Sequence, residues 1–365
     1  MKKNKKKICS TYIHIPFCEK KCNYCSFLSF ENLNLKLKYF ETLLLDIEKN
    51  YDKTPQKTLY IGGGTPSILE IPEIEKLIKC FNFEKNAEIT IEVNPKSANK
   101  EYLKKLKNIG INRLSIGVQS FNDEILNKIG RLHNSKDALE TIKNAKEAGF
   151  ENISIDLMYG LPSQTLKIWE ETLSIANELD VEHISLYGLK IERGSKFYKN
   201  RPKDLPDDDM QEIMYKLALK KLKKFKRYEI SNFAISKKYQ SKHNLNYWHL
   251  GYYNAFGLGA SGYSENGRYK KEEIFDKYIQ NPKIKKEKWS ETDKLNEEII
   301  ISFRLIEGIK TDIINKKFNI DFDEKYANIL EKYIKTKHIK KTKKGYKLTT
   351  SGLLVSNYIL SDFLD

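Results

Sequence analysis

The residues of this chain best equipped for chemistry are Cys18, Cys22 and Cys25, three of its five cysteines, spaced C-x3-C-x2-C. Thiols at that density mark a metal-binding segment. A structural zinc site closes four ligands around one ion and draws on paired C-x2-C units or on histidines; no second pair follows here. A cubane iron–sulfur cluster is normally held by four thiolates, so three closely spaced cysteines would ligate three irons and leave the fourth to a small chelating molecule. Cys9 and Cys80 stand apart and read as incidental or buried thiols.

Such a loop needs a rigid element to hold it. The alternating apolar run before Cys18 predicts a strand, and a helical pattern follows over 33–51. A buried strand over 57–61 then ends in Gly62-Gly63-Gly64-Thr65-Pro66, where missing side chains would let backbone amides approach a ligand. Further strands are predicted over 88–93, 113–118, 152–158 and 183–189, with helices over 98–108, 135–148 and 164–179 between them. Gly110 and Gly149 stand where those helices should stop.

Repeated strand–helix units imply a parallel sheet. Six such units by about residue 226 predict an α/β fold of the partial (β/α)6 barrel type, with working groups at the C-terminal strand ends. Glu92, Gln119, Arg131, Asp156 and, in the last strand end, Lys190 fall there. An additional strand over 228–234 leads into an aromatic, glycine-rich loop over 243–263. Helices over 294–307, 311–317 and 324–335, a short strand over 345–349 and a last helix over 351–363 predict a small C-terminal winged-helix-like domain. The expected divisions are 1–234, 235–290 and 291–365.

Composition narrows the classes. The 65 basic against 49 acidic residues give +16, but the lysines are spread along the chain and alternate with glutamates on solvated helix faces, so no nucleic-acid partner is expected. The lysine run at 2–7 precedes too short an apolar stretch for a signal peptide, and no run has the length of a membrane span. An odd cysteine count with three clustered points to a reducing compartment. A cytoplasmic protein without membrane insertion is expected.

The cysteine loop and glycine run together resemble the radical S-adenosylmethionine superfamily. That resemblance implies a 4Fe-4S cluster on Cys18, Cys22 and Cys25, with the amino and carboxylate groups of S-adenosylmethionine on the fourth iron and reductive cleavage to a 5′-deoxyadenosyl radical. It makes Gly63, Gly64 and Thr65 the contacts of the cofactor's amino group. Within the superfamily, Tyr12 to Cys18, Glu92 to Pro95, Gly117 to Phe121, Gly130 to His133 and Asp156 to Pro162 are closely similar to the HemN-like group of oxygen-independent coproporphyrinogen oxidases. The similarity implies that Tyr12 and Tyr24 contact the cofactor near the cluster, and that Arg131 and Asp156 bind its carboxylate and ribose ends.

Two departures separate this chain from the oxidases. Phe27 stands where they carry a fourth cysteine, and only about ten residues precede the first strand. By contrast, His243-Asn244-Leu245-Asn246-Tyr247-Trp248, continued by Gly257 to Gly262, resembles the HemW family of heme chaperones. The family implies heme as ligand and heme-accepting apoproteins as partners, membrane-associated recipients among them. An imidazole beside a phenol and an indole suits a flat macrocycle, so His243 is the expected axial ligand with Tyr247 and Trp248 beside it. Tyr247 and His249 compete for the iron. Alternatives are a coproporphyrinogen oxidase and a radical methyltransferase of the same branch.

Overall fold

The computed structural model describes residues 9–364; the lysine run at 2–7 lies outside them. Six strands, β1 (Ser10–Ile15), β2 (Gln56–Gly63), β3 (Phe83–Val93), β4 (Arg113–Gln119), β5 (Ile153–Tyr159) and β6 (His183–Gly188), lie side by side in chain order and pair in parallel. Two short strands, β7 (Lys226–Arg227) and β8 (Asn232–Ala234), extend the β6 edge in antiparallel sense. At the other edge β9 (Asn254–Phe256) pairs in parallel with β1, so the sheet has nine strands and does not close.

The helices between the strands are α1 (Lys36–Asn50), α2 (Ile71–Lys79), α3 (Lys100–Asn108), α4 (Asp123–Lys128), α5 (Ser135–Glu147), α6 (Leu166–Glu178), α7 (Lys196–Lys199) and α8 (Asp208–Lys221). Strand alternation sorts the side chains onto two faces. Ile13, Leu59, Ile61, Ile91, Leu114, Ile116, Ile155 and Ile184 are fully buried in one apolar core together with residues of α1, α2, α3, α5, α6 and α8. Their neighbours Tyr12, Tyr60, Glu92, Ser115 and Asp156 point the other way, into a polar lumen. Burial of the apolar set, roughly 1.5–3 kcal/mol per aliphatic side chain, is what fixes the register and so forces the polar set inward.

The stretch expected as an aromatic loop contains a helix, α9 (Lys242–Trp248), capped by Ser241 Oγ on the Asn244 amide. Glu88 of β3 accepts the backbone N–H groups of Lys242 and His243, each at 3.1 Å, placing a carboxylate at the positive end of that helix. A buried Lys271–Asp46 ion pair at 2.6 Å, to which Tyr278 donates a hydrogen bond, ties the segment after β9 back onto α1.

A second apolar core runs from Leu295 to Phe363. It holds a three-stranded antiparallel sheet of Ile309–Lys310, Gly345–Leu348 and Ile339–Thr342 with helices on it, the winged-helix-like arrangement expected. The helices expected over 324–335 and 351–363 are each broken, at Tyr326 and Val355; at the first break the fully buried Phe322 and Phe363 converge on Tyr326.

Candidate functional site

A cavity of about 450 Å³ opens at the C-terminal ends of the parallel strands. Cys18, Cys22, Cys25, Tyr24, Gly63, Gly64, Thr65, Glu92, Gln119, Arg131, Asp156 and Lys190 all line it. Residues spread over more than 170 positions of sequence thus meet at one place because each ends or follows a parallel strand.

The cysteine loop is pinned from both sides. Cys18 N–H donates to Phe30 O at 3.0 Å, Asn23 N–H to Ile129 O at 2.9 Å, and Cys25 N–H to Cys22 O at 3.2 Å. Gly64 N–H donates to Ile15 O at 2.9 Å and Thr65 N–H to Phe17 O at 2.8 Å. Gly63 N–H donates to Glu92 Oε2 at 3.0 Å. The amides of Gly63, Gly64 and Thr65 are therefore spent within the protein. What the missing side chain of Gly64 permits is close approach, since a Cβ there would lie 2.6 Å from Phe17 O and 2.8 Å from Cys18 Sγ.

Among the described residues no three His, Cys, Asp or Glu side chains converge as they would on a single ion. The surroundings suit an anionic cluster. The Arg131 guanidinium donates to Cys22 Sγ at 3.6 Å and to Gly117 O at 2.6 Å, while its Nε is buried without a partner. Burial raises the pKa of Cys18 and pushes that of Cys25 up to about 11, which favours the protonated thiol at both positions.

The opposite wall is acidic. Glu92 accepts from Tyr60 Oη at 2.9 Å and from Gly63 N–H; burial, then repulsion from Asp156, pushes its pKa up to about 7. Burial also raises Asp156, to which Ser115 Oγ donates at 3.2 Å. Two buried carboxyls facing one cavity fit a ligand that brings positive charge, as the ammonium and sulfonium of S-adenosylmethionine do. Gln119 has φ 67° beside a register shift between Gly117 and Gln119 in the β4–β5 ladder. Such local strain is a feature of ligand-binding positions. Tyr187 also lines the cavity, as do Ser115 and Tyr60, which escaped the sequence reading; the period-two alternation of β2 and β4 is the signal that marks those two.

Four expected site residues lie elsewhere. Tyr12 does not line the cavity. It pairs with Tyr60 one step below the glycines, with its hydroxyl 2.9 Å from His14 Nδ1. The other ring nitrogen of His14, Nε2, lies 3.0 Å from Leu28 O. His243 is 1% exposed, with Nδ1 2.7 Å from Thr58 Oγ1 and Nε2 2.6 Å from Tyr247 Oη. Burial, then the charge of Arg113, pushes its pKa down to about 3, so the imidazole is neutral but has neither nitrogen open to a metal.

Nor do His243, Tyr247 and Trp248 form one flat platform. Residues four apart share a helix face, so His243 and Tyr247 meet edge to face at 4.8 Å. Trp248 lies a further step around, its indole 4.6 Å from the Arg304 guanidinium carbon. With His249 it borders a smaller cavity, of about 160 Å³, against the C-terminal domain.

Residues 12–176 match the model of the radical SAM superfamily, and residues 289–355 that of the HemN C-terminal domain. The heme chaperone HemW of Bacillus subtilis strain 168 is 36% identical, with 97% of this chain and 99% of the relative covered. That of Haemophilus influenzae is 34% identical over 97% of each. The solved structure of Escherichia coli coproporphyrinogen III oxidase (HemN), described as a radical SAM enzyme, superposes with a TM-score of 0.86 at 23% identity, covering 98% of this chain and 90% of that one. At that identity the structural likeness speaks for the fold.

Proposed function

This chain belongs to the HemW family of heme chaperones, and we propose that it binds heme and passes it to heme-requiring apoproteins in the cytoplasm or at the membrane. Cys18, Cys22 and Cys25 hold a 4Fe-4S cluster, and the cavity beside them holds S-adenosylmethionine. The observation that carries the reading is 36% identity to a named heme chaperone across 97% of the chain. The donor set of the cavity supports it: three thiols, a buried guanidinium with an unpartnered Nε, and two buried carboxyls with raised pKa.

The roles follow from that chemistry. Arg131 offsets thiolate charge and receives the cofactor's carboxylate, a charge-assisted contact. Glu92 takes its ammonium, Asp156 and Gln119 its ribose hydroxyls, and Tyr24 and Lys190 border the cavity. Gly63, Gly64 and Thr65 keep the wall thin enough for the ligand to reach the cysteine loop. When bound, the cluster supplies one-electron chemistry.

Heme is assigned to His243, with Tyr247 and Trp248 beside the macrocycle and His249 as the competing ligand. Capture through His243 requires α9 to part from Thr58 of β2, or the Tyr247 hydroxyl of the same helix to turn away, because these two groups occupy both imidazole nitrogens. Two such hydrogen bonds contribute about 1 kcal/mol each, and the ring contact with Tyr60 at 5.1 Å about 1 kcal/mol more. A strong iron–imidazole bond offsets a cost of that size. The test is heme titration of His243→Ala. Heme affinity is expected to fall by roughly tenfold or more, the equivalent of ~1.4 kcal/mol, with a shifted Soret band and an unchanged cluster spectrum. An unchanged Soret band and affinity would remove His243 as ligand and make His249 the next to substitute.

A further inference from the structure

Tyr60 sits where the cofactor cavity and α9 meet. Its hydroxyl donates to Glu92 Oε1 at 2.9 Å, and its ring lies between that of Tyr12, at 6.2 Å and 30°, and that of His243, at 5.1 Å and 27°. The other oxygen of Glu92 is held by the Gly63 amide at 3.0 Å. From Gly63, which lines the cavity, the contacts therefore run through Glu92 and Tyr60 to His243 without a gap.

We infer that Tyr60 is a positioning residue that couples occupancy of the cofactor cavity to the closed state of α9. The inference rests on the reading that the cavity takes S-adenosylmethionine with Glu92 facing its ammonium. A cation against Glu92 holds the carboxylate ionised, and an ionised acceptor forms the stronger hydrogen bond with a phenol. The Tyr60 ring is then held in place, and His243 keeps its stacking partner. With the cavity empty the Tyr60 hydroxyl is held less firmly, and α9 opens more readily.

The sign follows. S-adenosylmethionine closes α9, and anything that draws His243 outward weakens S-adenosylmethionine binding by the same factor, because coupling between two sites is reciprocal. If His243 is the heme ligand, cofactor binding opposes heme capture and favours handover. The contact chain itself does not depend on that assignment.

The experiment is amide hydrogen exchange of residues 243–247 in the anaerobically reconstituted full chain, with and without saturating S-adenosylmethionine, after its binding has been measured by calorimetry. Exchange in the wild-type protein is expected to slow by about fivefold or more, the lower end of typical coupling between sites. In Tyr60→Phe, which keeps the ring but loses the hydroxyl, exchange should be the same with and without cofactor. Thr58→Val cuts a different anchor of His243, so it should raise exchange in both states while leaving the cofactor effect in place. Cofactor binding that leaves exchange over 243–247 unchanged in the wild-type protein, or that slows it equally in Tyr60→Phe, would overturn the coupling alone. Absence of any cofactor binding would overturn the coupling together with the cofactor reading on which it rests.

Discussion

Cys22→Ala is expected to yield protein with almost no iron and no cluster absorption after anaerobic reconstitution. Three thiolates are the whole protein ligand set of the proposed cluster, and Cys22 is the one that accepts a hydrogen bond from the Arg131 guanidinium. Its removal takes the thiolate partner from that buried cation, which keeps only the neutral Gly117 carbonyl, as well as leaving an iron without its ligand, and an uncompensated buried charge costs several kcal/mol. Cys18→Ala and Cys25→Ala should behave alike. Cys80, whose thiol faces Lys76 O on α2, and Cys9 at the start of β1 lie outside the cavity. Their alanine variants should retain the full iron complement. Iron analysis and the visible spectrum of the five variants decide the matter, and a normal iron content in Cys22→Ala would refute the ligand assignment.

Gly64→Ala tests the wall of the cavity in a different way. The added methyl would meet Phe17 O at 2.6 Å and Cys18 Sγ at 2.8 Å. Neither can yield freely: Phe17 O accepts the Thr65 amide, and Cys18 N–H is tied to Phe30 O. Relief has to come from displacing the cysteine loop itself. Overpacking of this kind costs about 1–3 kcal/mol, so S-adenosylmethionine affinity is expected to drop by roughly tenfold to a hundredfold, with partial loss of iron. Calorimetric titration beside iron analysis measures both. Wild-type affinity in Gly64→Ala would mean that the glycine serves the turn alone.

The cysteine loop, the parallel sheet and the acidic and basic residues at its strand ends were legible in the chain because each depends on local spacing. Ligand chemistry fixes the intervals between Cys18, Cys22 and Cys25, and a strand followed by a helix puts Glu92, Gln119 and Asp156 at the same end of the sheet whatever lies between them. The fate of the glycine amides was not legible. It depends on the β1–β2 register, which sets Ile15 opposite Gly63 and so turns the Ile15 and Phe17 carbonyls onto the run. The same register sets Tyr12 opposite Tyr60, away from the residues that line the cavity, although the resemblance to the HemN-like group implies that it contacts the cofactor.

The aromatic stretch at 243–248 shows a tertiary override of a local pattern. Its histidine, tyrosine and tryptophan look like a platform for a macrocycle. Folded, the segment is a helix whose first amides are capped by Glu88 from a distant strand. Helical geometry then parts Trp248 from the other two rings. The structure thus places His243 as a buried, neutral anchor, and the proposed heme ligation calls for a different arrangement of α9.

Heme transfer tests the central claim most directly. The reconstituted protein is loaded with heme, freed of excess and mixed with a heme-depleted heme enzyme, with an equal concentration of free heme as the reference. The expected result is one heme bound per chain, followed by loss of the Soret band of the donor and recovery of recipient activity faster than with free heme. Failure to bind heme at stoichiometric concentration, or bound heme that never leaves for any recipient, would contradict the account.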